Sequence, residues 1–199
     1  MHIYTPDYFE TLFADNDDPW SFTSRWYERR KRALTLACLP SERFGVGYEP
    51  GCANGVLSVD LATRCDRLLV SDGADKAVKL AQSRLKDHGH VEVVKAWVPE
   101  QWPAEKFDLI VLSEFLFYLQ PDALEKIAKK VLATIKPGAT VLACHWRHPV
   151  PHSVIGGDEA HDRLDDFFQM PTLCQVREPD LRIDVWSTAP SVAAREGFA

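Results

Sequence analysis

Apolar and polar positions along the 199-residue chain change period repeatedly, and the changes mark its elements. Short apolar runs read as strands at Phe44–Glu49, Arg67–Asp72, Val91–Ala96, Phe107–Leu112 and Thr140–His145. The continuous apolar centre of Phe107-Asp108-Leu109-Ile110-Val111-Leu112 suits a strand covered on both faces. Between these runs the period lengthens. Ala77, Val78, Leu80, Ala81 and Leu85 share one side of a helix predicted from Ala74 to about Lys86. Further helices are expected from about Asn54 to Thr63 and from Asp122 to Ile135, the latter stopped by a turn at Lys136-Pro137-Gly138. Strand alternating with helix is the pattern of βαβ units around a parallel sheet, an α/β fold.

Both flanks read differently. Residues 6–40 are helical in pattern, broken at Asp15-Asn16-Asp17-Asp18-Pro19-Trp20, with a second helix from about Arg25 to Leu39. After the fifth strand come a loop containing Pro and His, a helix near Asp158–Phe168, and short strands at Leu173–Val176 and Leu181–Trp186. The turn Arg177-Glu178-Pro179-Asp180 separates those two strands. A single domain is therefore expected, with a helical lid over 1–40, an α/β core over 41–190 and a disordered tail over 191–199.

Net charge narrows the ligand class. A formal charge of −6 argues against a nucleic-acid partner. The one basic run, Arg29-Arg30-Lys31-Arg32, lies in a helical pattern and reads as a solvated face with one residue able to reach a ligand. The five cysteines are scattered without a CxxC pair, so neither zinc nor a disulfide framework is expected. His145, His148, His152 and His161 straddle a loop without the spacing of helical metal ligands, so no metal site is predicted. The N-terminus lacks a basic stretch followed by an apolar run, and no segment is apolar for long enough to span a bilayer. A cytoplasmic location and no membrane partner are expected.

Candidate chemistry gathers where strands turn into helices. In Val46-Gly47-Tyr48-Glu49-Pro50-Gly51-Cys52-Ala53-Asn54-Gly55, glycines allow the backbone to approach a ligand closely. The GxGxxG spacing that seats a pyrophosphate on a helix N-terminus is absent, which disfavours a nucleotide-binding oxidoreductase. Glu49 would repel phosphate and suit an ammonium or ribose hydroxyls, unless it is simply exposed. The second strand ends in Asp72-Gly73, about the twenty-residue spacing at which an acid reaches ribose hydroxyls. Asp72 equally suits a cap on the following helix.

The segments Tyr48–Gly55, Asp72 and Phe107–Glu114 resemble successive motifs of class I S-adenosylmethionine (SAM)-dependent methyltransferases. More narrowly, Asp17-Asp18-Pro19-Trp20, Tyr27-Glu28, Gly51-Cys52-Ala53 and Ser113-Glu114 followed by Phe117-Tyr118-Leu119 resemble the NodS group. These are rhizobial N-methyltransferases acting on the glucosamine end of deacetylated chitooligosaccharides. The likeness covers about residues 8–145. It implies a Rossmann-like sheet of seven strands, mostly parallel, with helices on both faces, an antiparallel last strand and an N-terminal helical lid. It also implies SAM as cofactor, S-adenosylhomocysteine (SAH) as product, and an amino sugar or similar small amine as acceptor. A small-molecule O-methyltransferase or a non-catalytic SAM-binding module would share the cofactor motifs.

The resemblance distributes roles as follows. Glu49, Gly51, Cys52, Gly55, Asp72, Gly73, Trp97, Val98 and Ser113 would hold the cofactor. Trp20 and one cation, Lys31 by register or else Arg30, would close over its methionine end. Trp97 either packs on adenine or belongs to the core, since the acid often found after the third strand is absent from Lys95-Ala96-Trp97-Val98-Pro99-Glu100. Ala53 stands where the family usually has glycine. Glu114 is the candidate base or a helix cap, and His145 is the alternative base because its pKa lies near neutrality. Tyr118, Trp146 and Arg147 would form the acceptor pocket, with Trp146 against a sugar face and Arg147 for an anionic group, while Tyr118 is alternatively helix core.

Overall fold

The computed structural model describes residues 4–199. Strands β1 (Phe44–Pro50), β2 (Cys65–Asp72), β3 (Val91–Lys95), β4 (Phe107–Ser113) and β5 (Ile135–Trp146) run parallel. A hairpin of β6 (Thr172–Arg177) and β7 (Leu181–Ser187) completes the sheet, with β7 antiparallel to β5. The spatial order is β3-β2-β1-β4-β5-β7-β6. Order reverses between β1 and β4, and in such sheets the crevice outside the strands' carboxyl ends at that reversal is where ligands bind.

Side chains alternate across the sheet, so neighbours on one strand enter different cores. Leu109 and Val111 of β4 join Leu61, Leu85 and Leu142 on the face covered by α2 (Trp26–Cys38), α3 (Val56–Ala62) and α4 (Asp75–Leu85). Ile110 and Leu112 join Leu124, Ile127 and Leu164 on the face covered by α5 (Pro121–Thr134) and α6 (Gly157–Phe168). Each such fully buried aliphatic side chain contributes about 2 kcal/mol. The helix α5 shows why these segments are helical: Pro121 opens it, and Leu124, Ile127, Ala128 and Val131 bury one stripe.

The lid begins with α1 (Pro6–Asp15), whose start is fixed by the Thr5 hydroxyl accepting from the Tyr8 N–H. Residues 1–3 of the predicted lid lie outside the described residues. Between α1 and α2, Asp18 accepts from the N–H groups of Phe22 (2.8 Å) and Thr23 (2.9 Å) and from Asn54 Nδ2 (3.2 Å). That one carboxylate fastens the lid loop to the first glycine turn.

Two expectations need correction. The predicted turn at 136–138 is part of the fifth strand, which begins at Ile135 rather than Thr140. Ile135 pairs with Phe107, and Lys136 reaches Asp108 at 2.7 Å, so the Pro-Gly step is absorbed as a register shift within the ladder. The tail is not disordered. Val192–Arg195 form a short helix capped by Ser191, and Arg195 donates to Ser41 Oγ (2.7 Å) and to the Pro40 carbonyl. Among the described residues no helix is long and apolar enough to cross a membrane.

Candidate active site

A cavity of about 810 Å³ opens at the carboxyl ends of β1, β2 and β4 and is roofed by α1, α2 and the loop joining them. It brings together most of the predicted site residues. From the sheet side come Glu49, Gly51, Cys52, Asp72, Gly73, Trp97, Val98, Ser113 and Glu114. Trp20 and Lys31 enter from the lid, and Tyr118 and Trp146 from the far wall. Gly55, His145 and Arg147 do not line it.

At one end the first glycine turn spends its own donors. The Cys52 N–H bonds the Ser71 carbonyl, the Ala53 N–H bonds Asp72 Oδ2 and the Gly55 N–H bonds the Cys52 carbonyl, each at 2.9 Å. Ala53 is held at φ +50°, a conformation glycine would enter more easily, and its bond to Asp72 helps keep it there. With these three N–H groups used internally, the turn has fewer donors left to cradle a phosphate. Carboxyl groups face the cavity instead. Asp72 also accepts from the Ala74 N–H at 3.0 Å, just ahead of α4, but it is not the helix's side-chain cap, and it lines the cavity. Burial raises its pKa, against the pull of those N–H bonds. Glu49 is not exposed: only 3% of its surface is accessible, and Ser58 donates to it at 2.6 Å. Burial pushes the Glu49 carboxyl up to about 8, so near neutral pH it is mainly protonated and can donate as well as accept.

Trp97 is half-buried and packs so closely over Gly73 that a Cβ there would lie 2.2 Å from the indole Cε3. Gly73 therefore lets the indole form the cavity wall. Above it, Trp20 stacks with Phe22 (5.4 Å) and meets Phe13 edge-on (5.6 Å). Gly55 has a different task from the one expected. A Cβ there would stand 3.0 Å from the Cα of Ala81, so this position permits close packing of α3 on α4.

The other end is built on charge. Lys31 Nζ sits 2.8 Å from Glu28 and 2.7 Å from Glu114, and only 5% of Lys31 is exposed. Its ammonium is thus shared by two carboxylates already, which corrects its expected role as partner of a third. Burial opposes its charge, but Glu114 and Glu28 hold its pKa above the usual lysine range. Arg30, the alternative cation, is bound by Glu178 through two bonds of 2.7 and 2.6 Å. Glu114 is not a helix cap. Its backbone lies at φ +59°, and its second oxygen accepts from the Trp146 N–H at 3.0 Å. Trp146 meets Tyr27 edge-on at 5.3 Å, and Tyr118 packs on Tyr4 (4.7 Å) and Phe9 (5.3 Å) at the cavity wall.

His145 and Arg147 are corrected by strand geometry. On β5, Cys144 and Trp146 point toward α2 and the cavity, and the residues between and beyond them point away. His145 is fully buried and accepts from the Leu116 N–H at 3.3 Å, while its other ring nitrogen faces His161 at 3.0 Å. His161 in turn reaches Asp184 at 2.6 Å. One tautomer satisfies the chain: His145 donates from Nδ1 to His161 Nε2, and His161 donates from Nδ1 to Asp184. His145 is therefore no base for the cavity but a support for the turn Leu116–Tyr118 behind it. Arg147 is engaged by Asp158 at 2.9 Å and by the Glu178 carbonyl.

This relay predicts a pH dependence. Burial lowers the pKa of both histidines, with His161 further opposing His145 and Asp184 partly restoring His161. Below about 6.5 the unfolded chain takes up protons that the folded chain does not, so stability is full above that pH and declines as pH falls. Urea unfolding at pH 7.5, 6.5 and 5.5 should show a loss approaching about 1.4 kcal/mol per pH unit for each histidine. His145→Asn and His161→Asn variants should each flatten that slope.

Sequence reasoning missed Glu28, Tyr4, Phe9 and Tyr27 as cavity residues. Glu28 and Tyr27 stood in a segment that resembles the NodS group but were given no role there, and the i,i+3 spacing of Glu28 to Lys31 on its own describes a solvated helix pair.

The chain matches the family model of nodulation protein S (NodS) over residues 9–153. It is 33% identical to a nodulation protein S of Rhizobium tropici over 124 residues, 61% of this chain and 52% of that protein. The chain spans about half the length of the curated relatives it matches. Among solved structures, a candidate methyltransferase from Pseudomonas syringae is 48% identical, with a TM-score of 0.73, over 82% of this chain and 99% of that one. The N-methyltransferase NodS from Bradyrhizobium japonicum WM9, solved in complex with SAH, is 24% identical with a TM-score of 0.74, over 91% of this chain and 96% of that one.

Proposed function

The chain belongs to the nodulation protein S family, and from that premise we propose that it is a SAM-dependent methyltransferase that N-methylates the primary amine of an amino sugar or short deacetylated chitooligosaccharide. The observation that carries this reading is the first glycine turn. The N–H groups of Cys52, Ala53 and Gly55 are used internally, while the carboxyl groups of Glu49 and Asp72 face the same cavity. Such a donor set fits ribose hydroxyls and a cationic nucleoside and is unsuited to a pyrophosphate.

On this reading Asp72 and Glu49 hold the ribose, Trp97 and Val98 pack on the base, and Gly51, Cys52 and Ser113 shape the floor. Trp20 closes over the amino-acid end from the lid. When bound, SAM supplies a methyl group already activated by its sulfonium. The chain's own task is therefore to bind an amine, exclude water and align it. Trp146 and Tyr118 offer flat faces to a sugar ring, and Glu114 and Lys31 form the polar wall beside them. The formal charge of −6 favours approach of a cationic acceptor.

Calorimetry with SAH, SAM and NAD tests the cofactor: the first two should bind and NAD should not. Incubation with methyl-labelled SAM should then label deacetylated chitotetraose and leave the acetylated oligomer unlabelled. Transfer to neither sugar would remove the amino-sugar acceptor, and absence of SAH binding would remove the whole reading.

A further inference from the structure

Glu28 is given no role above, yet its setting is unlike that of a surface glutamate. It lies in the first turn of α2 with 8% of its surface exposed, and it lines the cavity. One of its oxygens, Oε2, meets Lys31 at 2.8 Å. Its other oxygen receives no donor from the described residues. Glu114 differs, because both its oxygens are taken, one by Lys31 at 2.7 Å and one by the Trp146 N–H at 3.0 Å. Two carboxylates thus share a single ammonium, so among the described residues one negative charge has no ion partner of its own within 4 Å, beside the rings of Tyr27 and Trp146. A nearly buried charge without a counter-ion is costly, so the arrangement is matched to a second cation. Aromatic faces nearby favour the same kind of guest.

We propose that Glu28 is a catalytic residue of the acceptor site: its free oxygen Oε1 binds the acceptor's ammonium group and then takes its proton. The inference rests on the N-methyltransferase reading. An ammonium R–NH₃⁺ gives one proton to the Glu28 carboxylate; the N–H bond breaks and its electron pair stays on nitrogen. That pair forms the new N–C bond as the S–C bond of the methyl donor breaks, and the S–C pair passes to sulfur. The products are R–NH₂⁺–CH₃ and a neutral thioether, with the first proton on Glu28. Around Glu28 stand Lys31 and Tyr27 from α2, Glu114 just past β4 and Cys144 from β5, while Arg25, Arg32 and Asp180, the last paired with His148 at 2.6 Å, line the same cavity. Burial pushes Tyr27 up and Cys144 up to about 12, and Lys31 stays charged, so none of these three titrates between pH 6.5 and 9.

The test compares wild type, Glu28→Gln and Glu28→Asp, with glucosamine and N-acetylglucosamine titrated calorimetrically into each protein saturated with SAH. Glu28→Gln should bind SAH within about twofold of wild type but glucosamine at least about tenfold more weakly. N-acetylglucosamine, which has no ammonium, should not distinguish the two. With labelled SAM, kcat of Glu28→Gln at pH 7 should fall about 100-fold and recover as pH rises toward the amine's own pKa. Glu28→Asp should keep the wild-type shape of the pH profile at reduced kcat. Wild-type glucosamine affinity and pH profile in Glu28→Gln would overturn the proposal. A loss of kcat independent of pH, or a Glu28→Asp profile shifted like that of Glu28→Gln, would also overturn it. A kcat at pH 7 in Glu28→Gln equal to that of wild type sinks Glu28 alone, whereas a wild type that methylates no amine sinks the underlying function.

Discussion

Lys31→Met should lower the melting temperature by roughly 10 °C at neutral pH, the largest stability effect expected from any single polar substitution in this chain. Methionine keeps most of the length and apolar body of lysine, so packing changes little. What disappears is, among the described residues, the only ammonium within 4 Å of Glu28 and Glu114, both of them largely buried. Breaking a buried pair from one side costs about 3–5 kcal/mol, because the stranded charges stay behind. Adding Glu114→Gln to Lys31→Met should restore part of the loss, since one stranded charge is then removed. Scanning calorimetry of the single and double variants is the measurement. A single variant melting within about 2 °C of wild type would mean that the two carboxylates do not depend on Lys31.

Asp72→Ala should weaken SAH binding at least about 100-fold, the largest expected effect on ligand affinity. One carboxylate does two jobs here. It accepts from Ala53 and Ala74, holding the glycine turn and the step from β2 into α4, and on the proposed reading it also receives the ribose hydroxyls. Alanine removes both functions together. Asp72→Asn retains one acceptor oxygen and should fall between alanine and wild type. Affinity of the alanine variant within about tenfold of wild type, read by calorimetry, would exclude Asp72 from the nucleoside site.

Much of the architecture was legible because it follows from side-chain period. Leu109 to Leu112 are apolar on both faces, which only a covered strand permits, and the stripe Leu124, Ile127, Ala128, Val131 has the period of a helix. The glycine turn and Asp72 were legible because backbone chemistry at strand ends restricts which residues can stand there. The acceptor side was less so. His145 and Trp146 are adjacent in sequence, and nothing in the chain states which of two alternating positions faces the cavity. The structure turns Trp146 toward it and buries His145 against α6. Arg147 looked free at a strand end, but its partner Asp158 lies beyond a loop whose path local pattern does not specify. Glu28 shows the reverse case. A glutamate three residues before a lysine ordinarily marks a solvated face, and only the packing of α2 over the sheet makes it part of a cavity.

Among the described residues the hairpin of β6 and β7 is the only part of the sheet outside the parallel order, and its turn reaches back to the lid. Glu178 clasps Arg30 through two bonds, the Glu178 carbonyl receives Arg147, and Asp180 pairs with His148. One turn thus anchors the roof over the proposed acceptor side, and its side-chain partners named here, Arg30, Arg147 and His148, are not among the groups proposed to face the nucleoside. On the proposed reading, descendants of this chain could explore new acceptors by lengthening, shortening or recharging a single hairpin tip. The part proposed to recognise the methyl donor would be left unaltered, so inheritance of chemistry and divergence of taste would be housed in separable pieces of one sheet.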